Sequence, residues 1–288
     1  MSLNLLFSII STALLFNIFK YFKKYKIVTL NAIIVNYIIA SGLSFIIPSE
    51  IKSIDYALQQ PWFPISVLLG LFFVLLFQLM AYSSQKIDIS TTTIANKITF
   101  IFPTAMGILI FDEDWSVLKI IGFFVAITSI LLIVEEKRNV PKRSSFIIIL
   151  ILFLGGGLLE CLLNFSNKEL IAPLDTSIFF GYLFFFAFCF GVLILVWKLI
   201  KGESAPTFKD VFWGIILGIP NYFSMYLLLE SLDELPSSSV FPIANMGVIL
   251  ISTILSVILF REKISKKKGL ALICSILAIL LISFYDIF

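Results

Sequence analysis

Ser90–Glu113 reads STTTIANKITFIFPTAMGILIFDE, and Ser239–Glu262 reads SVFPIANMGVILISTILSVILFRE. The two stretches align without a gap. Ser90 matches Ser239, Ile94-Ala95-Asn96 matches Ile243-Ala244-Asn245, Thr104 matches Thr253, Phe111 matches Phe260 and Glu113 matches Glu262. Identities of Ile or Phe are cheap between apolar runs, so the polar matches in register carry the repeat. A glycine opens the next run in each copy, Gly122 and Gly269, with the second copy two residues shorter.

Around this pair the chain is apolar almost throughout. Hydrophobic residues make up 60% of it and charged residues 14%, against about 25% charged in a soluble domain. That much apolar surface needs lipid as its solvent. A helix needs about 20 apolar residues to cross the hydrocarbon. On that measure the spans fall at 3–19, 27–47, 64–84, 89–111, 116–134, 146–166, 176–197, 211–230, 237–259 and 269–285. Trp62, Trp115, Trp197 and Trp213 each fall at a span end, where an amphipathic ring prefers the headgroup layer. The first run begins at Leu3 without a basic segment before it, and no cleavable leader is expected.

Each copy of the repeat lies fourth in a set of five spans, and five is odd, so the second set enters the membrane inverted. The charges agree: Asp112, Glu113 and Asp114 follow the fourth span, whereas Arg261, Lys263 and Lys266–Lys268 follow the ninth. The fold class expected is therefore an all-α integral membrane protein. Its ten transmembrane helices form two inverted five-helix repeats, 1–138 and 139–288. Inverted repeats are a recurring plan for secondary transporters, with the substrate near the midplane between the halves. Lys and Arg crowd the odd-numbered connections, and the even ones hold only Lys52, Lys119 and Lys168. The positive-inside rule then puts both termini outside.

Two proline-containing apolar helices that run into Phe-x-Glu carry a family likeness. They end in Phe111-Asp112-Glu113 and Phe260-Arg261-Glu262, each with a glycine seven to nine residues on. In these features the chain resembles the drug/metabolite transporter superfamily, specifically its EamA-type ten-helix members. The resemblance implies two five-helix bundles, alternating access, and export or exchange of small metabolites, often amino acids or their derivatives. It would also place both termini in the cytoplasm, opposite to the charge count.

Lys97 is the one Lys or Arg well inside a span. A charge there costs at least about 2.5–3.5 kcal/mol, so a partner or an aqueous cavity is expected. It reads either as a cation lining the central site, suited to a carboxylate or phosphate, or as a snorkelling or structurally paired lysine. Glu160 follows Gly155-Gly156-Gly157 and precedes Asn164 and Asn167 near helical spacing. It could take a proton, a substrate amine or Lys97, or make a structural hydrogen bond as a neutral carboxyl. Small multidrug-resistance members of the superfamily use a glutamate in the first helix of their repeat, and Glu160 falls in the first helix of the second repeat. The corresponding place in the first is Thr12-Ala13, so the acid is not duplicated.

Asn96 and Asn245 are paired by the repeat and, as amides in hydrocarbon, should face the bundle interior. Asn221, Tyr222 and Tyr226 follow Pro220, and Tyr82 stands near Gln78; such walls suit zwitterionic or aromatic substrates or ordinary packing. Pro103 and Pro242 should kink the fourth and ninth helices, and Gly214-x-x-x-Gly218 reads as close helix packing. Glu113 and Glu262, at helix ends, are expected to be structural or gating residues.

Histidine is absent, which removes His-based acid/base catalysis and His-ligated metals. Cys161, Cys189 and Cys274 lack metal-like spacing, and there is no Walker-type loop. No cofactor, no metal and no nucleic-acid partner is expected. The reading is a secondary transporter, not an enzyme, that exports a small polar, amino-acid-like metabolite from a bacterial inner membrane. Its partners are that solute and membrane lipid, with proton coupling through Glu160 left open. A multidrug or cation exporter and a proton-coupled uptake permease of the same fold remain alternatives, with a membrane-embedded enzyme ranked behind them.

Overall fold

A computed structural model describes residues 2–47, 53–86, 96–135, 143–172, 175–202, 205–261 and 265–287. Among these are eleven α-helices and no strand. They are α1 (Leu3–Tyr25), α2 (Thr29–Ile46), α3 (Ile54–Leu58), α4 (Phe63–Lys86), α5 (Ile101–Ile110) and α6 (Val117–Glu135). The second half of the chain adds α7 (Arg143–Glu169), α8 (Thr176–Ile200), α9 (Phe208–Glu234), α10 (Ser237–Phe260) and α11 (Lys266–Ile287). Six of them contain windows long and apolar enough to cross a membrane, in α2, α4, α7, α8, α9 and α10. Four shorter apolar stretches, Leu3–Phe19, Ile101–Ile110, Val117–Ser129 and Gly269–Ile282, accompany them. This is a multi-pass membrane protein.

Two details depart from the sequence reading. The second connection contains a helix of its own, α3, because Ser53 caps it: its Oγ accepts from the Tyr56 N–H at 3.3 Å. Tyr56 then donates to Asp175 Oδ2 at 2.7 Å, which anchors the connection at the start of α8. Trp62 joins the same carboxylate at 3.4 Å and is 0% exposed, packed on Phe63, Phe179 and Tyr182. It is therefore a core residue, not a headgroup anchor, whereas Trp115 and Trp197 are more than half exposed.

The fourth span is not one uniform helix. A 3-10 turn, Ile98–Phe100, precedes α5. Pro103 has no N–H to give to the Thr99 carbonyl four residues back, and its ring crowds that carbonyl, which favours the tighter turn there. Pro242 by contrast lies inside a continuous α10, as Pro220 lies inside α9.

Packing partners follow a simple scheme. α2 lies against α8 and α9, α1 against α9 and α10, α4 against α8 and α7, α5 against α10 and α7, and α6 against α11. Glycines set the closest approaches. A Cβ at Gly214 would stand 2.7 Å from the Ala32 carbonyl oxygen, and one at Gly218 2.9 Å from that of Asn36. Both contacts advance together along α2 and α9, so these helices run parallel where they touch. The Gly214-x-x-x-Gly218 spacing thus serves backbone approach.

Gly218→Ala is expected to destabilise the protein by about 1–3 kcal/mol, because a backbone oxygen cannot move aside as a side chain can. Gly42→Ala, where a Cβ would meet nothing within 4 Å, should be neutral or slightly stabilising. Thermal unfolding of both variants in detergent measures the contrast.

Candidate functional site

The buried lysine foreseen in the fourth span has its partner in the other half of the chain. Lys97 is 6% exposed, and its Nζ donates to Asn245 Oδ1 at 2.9 Å. The same ammonium lies 5.2 Å from the centroid of the Phe16 ring of α1, an added cation–π contact. Glu160 of α7 is near enough for its charge to act on Lys97, with the side chains of Thr99 and Asn245 within its hydrogen-bonding reach. One cation, one carboxyl and two neutral polar groups thus meet where α1, α7, α10 and the start of α5 converge.

The glycine triplet makes this convergence sterically possible. A Cβ at Gly157 would overlap the Phe102 ring at 2.1 Å, one at Gly156 would press on Thr99 Cγ2 at 2.9 Å, and one at Gly155 on Leu76 at 2.7 Å. Bare backbone on α7 therefore lets the Asn96–Phe102 segment approach within van der Waals reach, with Asn96 Nδ2 3.9 Å from the Gly156 position. Thr99, which is fully buried, donates to the Asn96 carbonyl at 2.6 Å, within the turn ahead of Pro103. Thr99 and Phe16 were not singled out in the sequence; only the neighbourhood of Lys97 hinted at the first, and nothing local pointed to the second.

The remaining residues divide. Asn164, one turn beyond Glu160, is 0% exposed, and neither amide atom has a protein partner. Asn221 on α9 is in the same condition, and Glu160 Oε2 also lacks one. Tyr222 is fully buried, shares a 3.0 Å hydrogen bond with Ser177, and stacks on Tyr226 at 5.5 Å. Tyr82 is 51% exposed on α4, and the described contacts do not join it to Lys97.

A second polar centre lies at one end of the bundle. Glu113 follows α5 and accepts at Oε1 from the Ser237 N–H at 2.9 Å and from the Ser237 hydroxyl at 2.7 Å. Its Oε2 accepts from the Ser238 N–H at 2.7 Å, and Lys168 of α7 donates to Oε1. The carboxylate thus caps the positive end of α10 and ties the α5–α6 connection to α7 and α10 at once. Burial opposes its charge, but the Lys168 ammonium and the donors of Ser237 and Ser238 outweigh burial and hold its pKa down to about 2. Gly107 leaves room for the carboxylate, since a Cβ there would come 2.5 Å from Glu113 Oε2 and from Ser237 Oγ. The repeat counterpart, Glu262, lies outside the described residues.

Comparison with known proteins agrees with this architecture. Residues 146–284 match the EamA-like transporter family, part of the drug/metabolite transporter superfamily. The match takes in a little under half of the chain and shows what that part is similar to. The family is one of transporters. A protein from Haemophilus influenzae, described as uncharacterized, is 27% identical, with 98% of each chain aligned. A solved crystal structure superposes with a TM-score of 0.76, covering 99% of this chain and 97% of that one. At 12% identity, that likeness is one of fold.

Glu113→Gln should cost about 1.5–3 kcal/mol, the worth of a hydrogen bond to a charged group. A lowered carboxyl pKa adds stability that is full above the ordinary carboxylate range and lost progressively as pH falls from there through about 2. The thermal-stability gap between wild type and Glu113→Gln should therefore be the same at pH 5 and pH 8. A gap that closes between those values would contradict this ionisation state.

Proposed function

We propose that this EamA-like chain is a secondary transporter of two inverted five-helix repeats, 1–138 and 139–288, that exports a small polar, amino-acid-like metabolite. The observation that carries the reading is the Lys97–Asn245 hydrogen bond. Asn245 occupies in the second copy the place that Asn96, the neighbour of Lys97, occupies in the first. The contact is therefore made by equivalent turns of the two copies, where an inverted-repeat transporter binds its cargo.

Helix packing supports the same plan. Exchanging the two sets of five turns α1–α9 into α7–α4, α2–α9 into α8–α4, and α1–α10 into α7–α5, and all six contacts occur. The pairs α2–α8, α5–α10 and α6–α11 map onto themselves.

Chemically, the Lys97 ammonium suits a carboxylate or phosphate, and Glu160 suits an amine. A zwitterion would satisfy both in exchange for the charge-assisted hydrogen bond from Lys97 to Asn245. Asn96, Asn164 and Asn221 offer further amides, and a buried amide without a partner costs about 1–3 kcal/mol that a polar solute could recover. Tyr222 would wall the deeper part of the path, and Tyr82 its rim. In alternating access the Glu113–Ser237–Lys168 latch closes one end while the proline-bent segment of the first copy moves against α7 and α10. A proton-coupled variant is favoured by one observation, the unpartnered Glu160 Oε2.

Counterflow in proteoliposomes, screened with amino acids and related metabolites, should reveal solute-specific flux. Lys97→Met, which installs the residue the second copy carries as Met246, should lower that flux at least about tenfold, equivalent to about 1.4 kcal/mol. Glu160→Gln should remove any pH dependence of flux. Normal flux in both variants would place the binding site elsewhere.

A further inference from the structure

Aromatic rings and lysines gather where α1 ends and α9 begins, far along the chain from the Lys97 centre. Tyr21 and Tyr25 each lie 5.4 Å from Trp213, with interplanar angles of 19° and 26°, and 6.1 Å from each other at 15°. The three rings form one slab spanning the two helices. Lys24 Nζ reaches over both tyrosines, 5.9 Å from one centroid and 5.5 Å from the other. Lys209 stands one helical turn ahead of Trp213 and so shares its face. Lys26 closes α1 in the left-handed conformation, at φ 55.

These three lysines are exposed, and among the described residues none is paired with an acid. Asp210, the carboxylate beside them, is turned inward and already occupied. It accepts from the Val28 N–H at 2.9 Å, from Asn31 Nδ2 at 3.4 Å, and from the Thr207 N–H and hydroxyl at 2.8 and 2.9 Å. Next to the slab, Phe208 is 84% exposed and Phe212 about half exposed. Positive charge held over aromatic faces, with bare phenyl rings alongside, matches a molecule that carries a phosphate above acyl chains.

We propose that this corner binds the headgroup of an anionic glycerophospholipid of the membrane leaflet on the basic side. Lys24 and Lys209 hold the phosphate, the Tyr21–Trp213–Tyr25 slab lies at the glycerol level, and Phe208 and Phe212 border the acyl chains. Lysine excess on one side of a membrane protein is common and sets topology without any lipid preference. What distinguishes this corner from Lys201, which stands over the single ring of Trp197, is that three stacked rings gather Lys24 and Lys209 at one place beside exposed phenyl rings.

The test uses the full chain, reconstituted with equal phosphatidylethanolamine and phosphatidylglycerol and analysed by native mass spectrometry. Wild type should retain phosphatidylglycerol in preference to phosphatidylethanolamine. Lys24→Gln with Lys209→Gln should lower that retention about thirtyfold, the scale of losing two juxtamembrane charges. The double Arg variant should keep it. Lys201→Gln, at a basic position over Trp197 on another helix end, should leave it unchanged. Equal retention of both lipids, an equal loss in Lys201→Gln, or displacement by millimolar glycerol phosphate would each overturn the assignment.

Discussion

A protonatable lysine in the interior of a membrane bundle is the constraint on which the rest of this structure turns. Its ammonium is expensive in hydrocarbon, so the fold must deliver acceptors to it. It does so from two directions: Asn245 at 2.9 Å from α10 and the carboxyl of Glu160 from α7. Both lie in the other half of the chain, so the Lys97 requirement also holds the halves together. On the proposed alternating-access reading, a site assembled in this way is undone when the halves move apart.

The same requirement explains the backbone around it. Three consecutive glycines in a membrane helix sacrifice packing area, yet here each faces a specific neighbour, Leu76, Thr99 or Phe102. Side chains at Gly156 and Gly157 would hold the Lys97 segment away from Glu160, and one at Gly155 would press on α4. The 3-10 turn ahead of Pro103 adds a bend at the same level. At the end of the bundle the Glu113 carboxylate joins the α5–α6 connection, α7 and α10 through four donors. The polar centre and the latch therefore use the same three elements.

Much of this was legible because the informative residues are rare against a uniform background. Lys97 and Glu160 stand out among apolar neighbours, and the Asn96/Asn245 equivalence needs only an alignment of the chain with itself. The partner of Lys97 was not legible, since it lies 148 residues away and no local period reports it. Side-chain direction was hidden for a second reason. A helix with lipid on one side and protein on the other is apolar all round, so periodicity does not separate the faces. Tyr82 was for that reason grouped with the site although it is half exposed, and Trp62 was read as a headgroup anchor although it is buried. Helix α3 was missed because its signal is a single capping serine in a polar connection.

Ligand-dependent thermal stabilisation asks most directly whether Lys97 and Asn245 form a solute site. The purified protein is heated with a panel of zwitterionic and anionic metabolites, alongside Lys97→Met. At least one solute should raise the midpoint of wild type and leave that of Lys97→Met unmoved. A solute that stabilises both proteins equally, with none that separates them, would contradict the placement of the site at this cross-repeat contact.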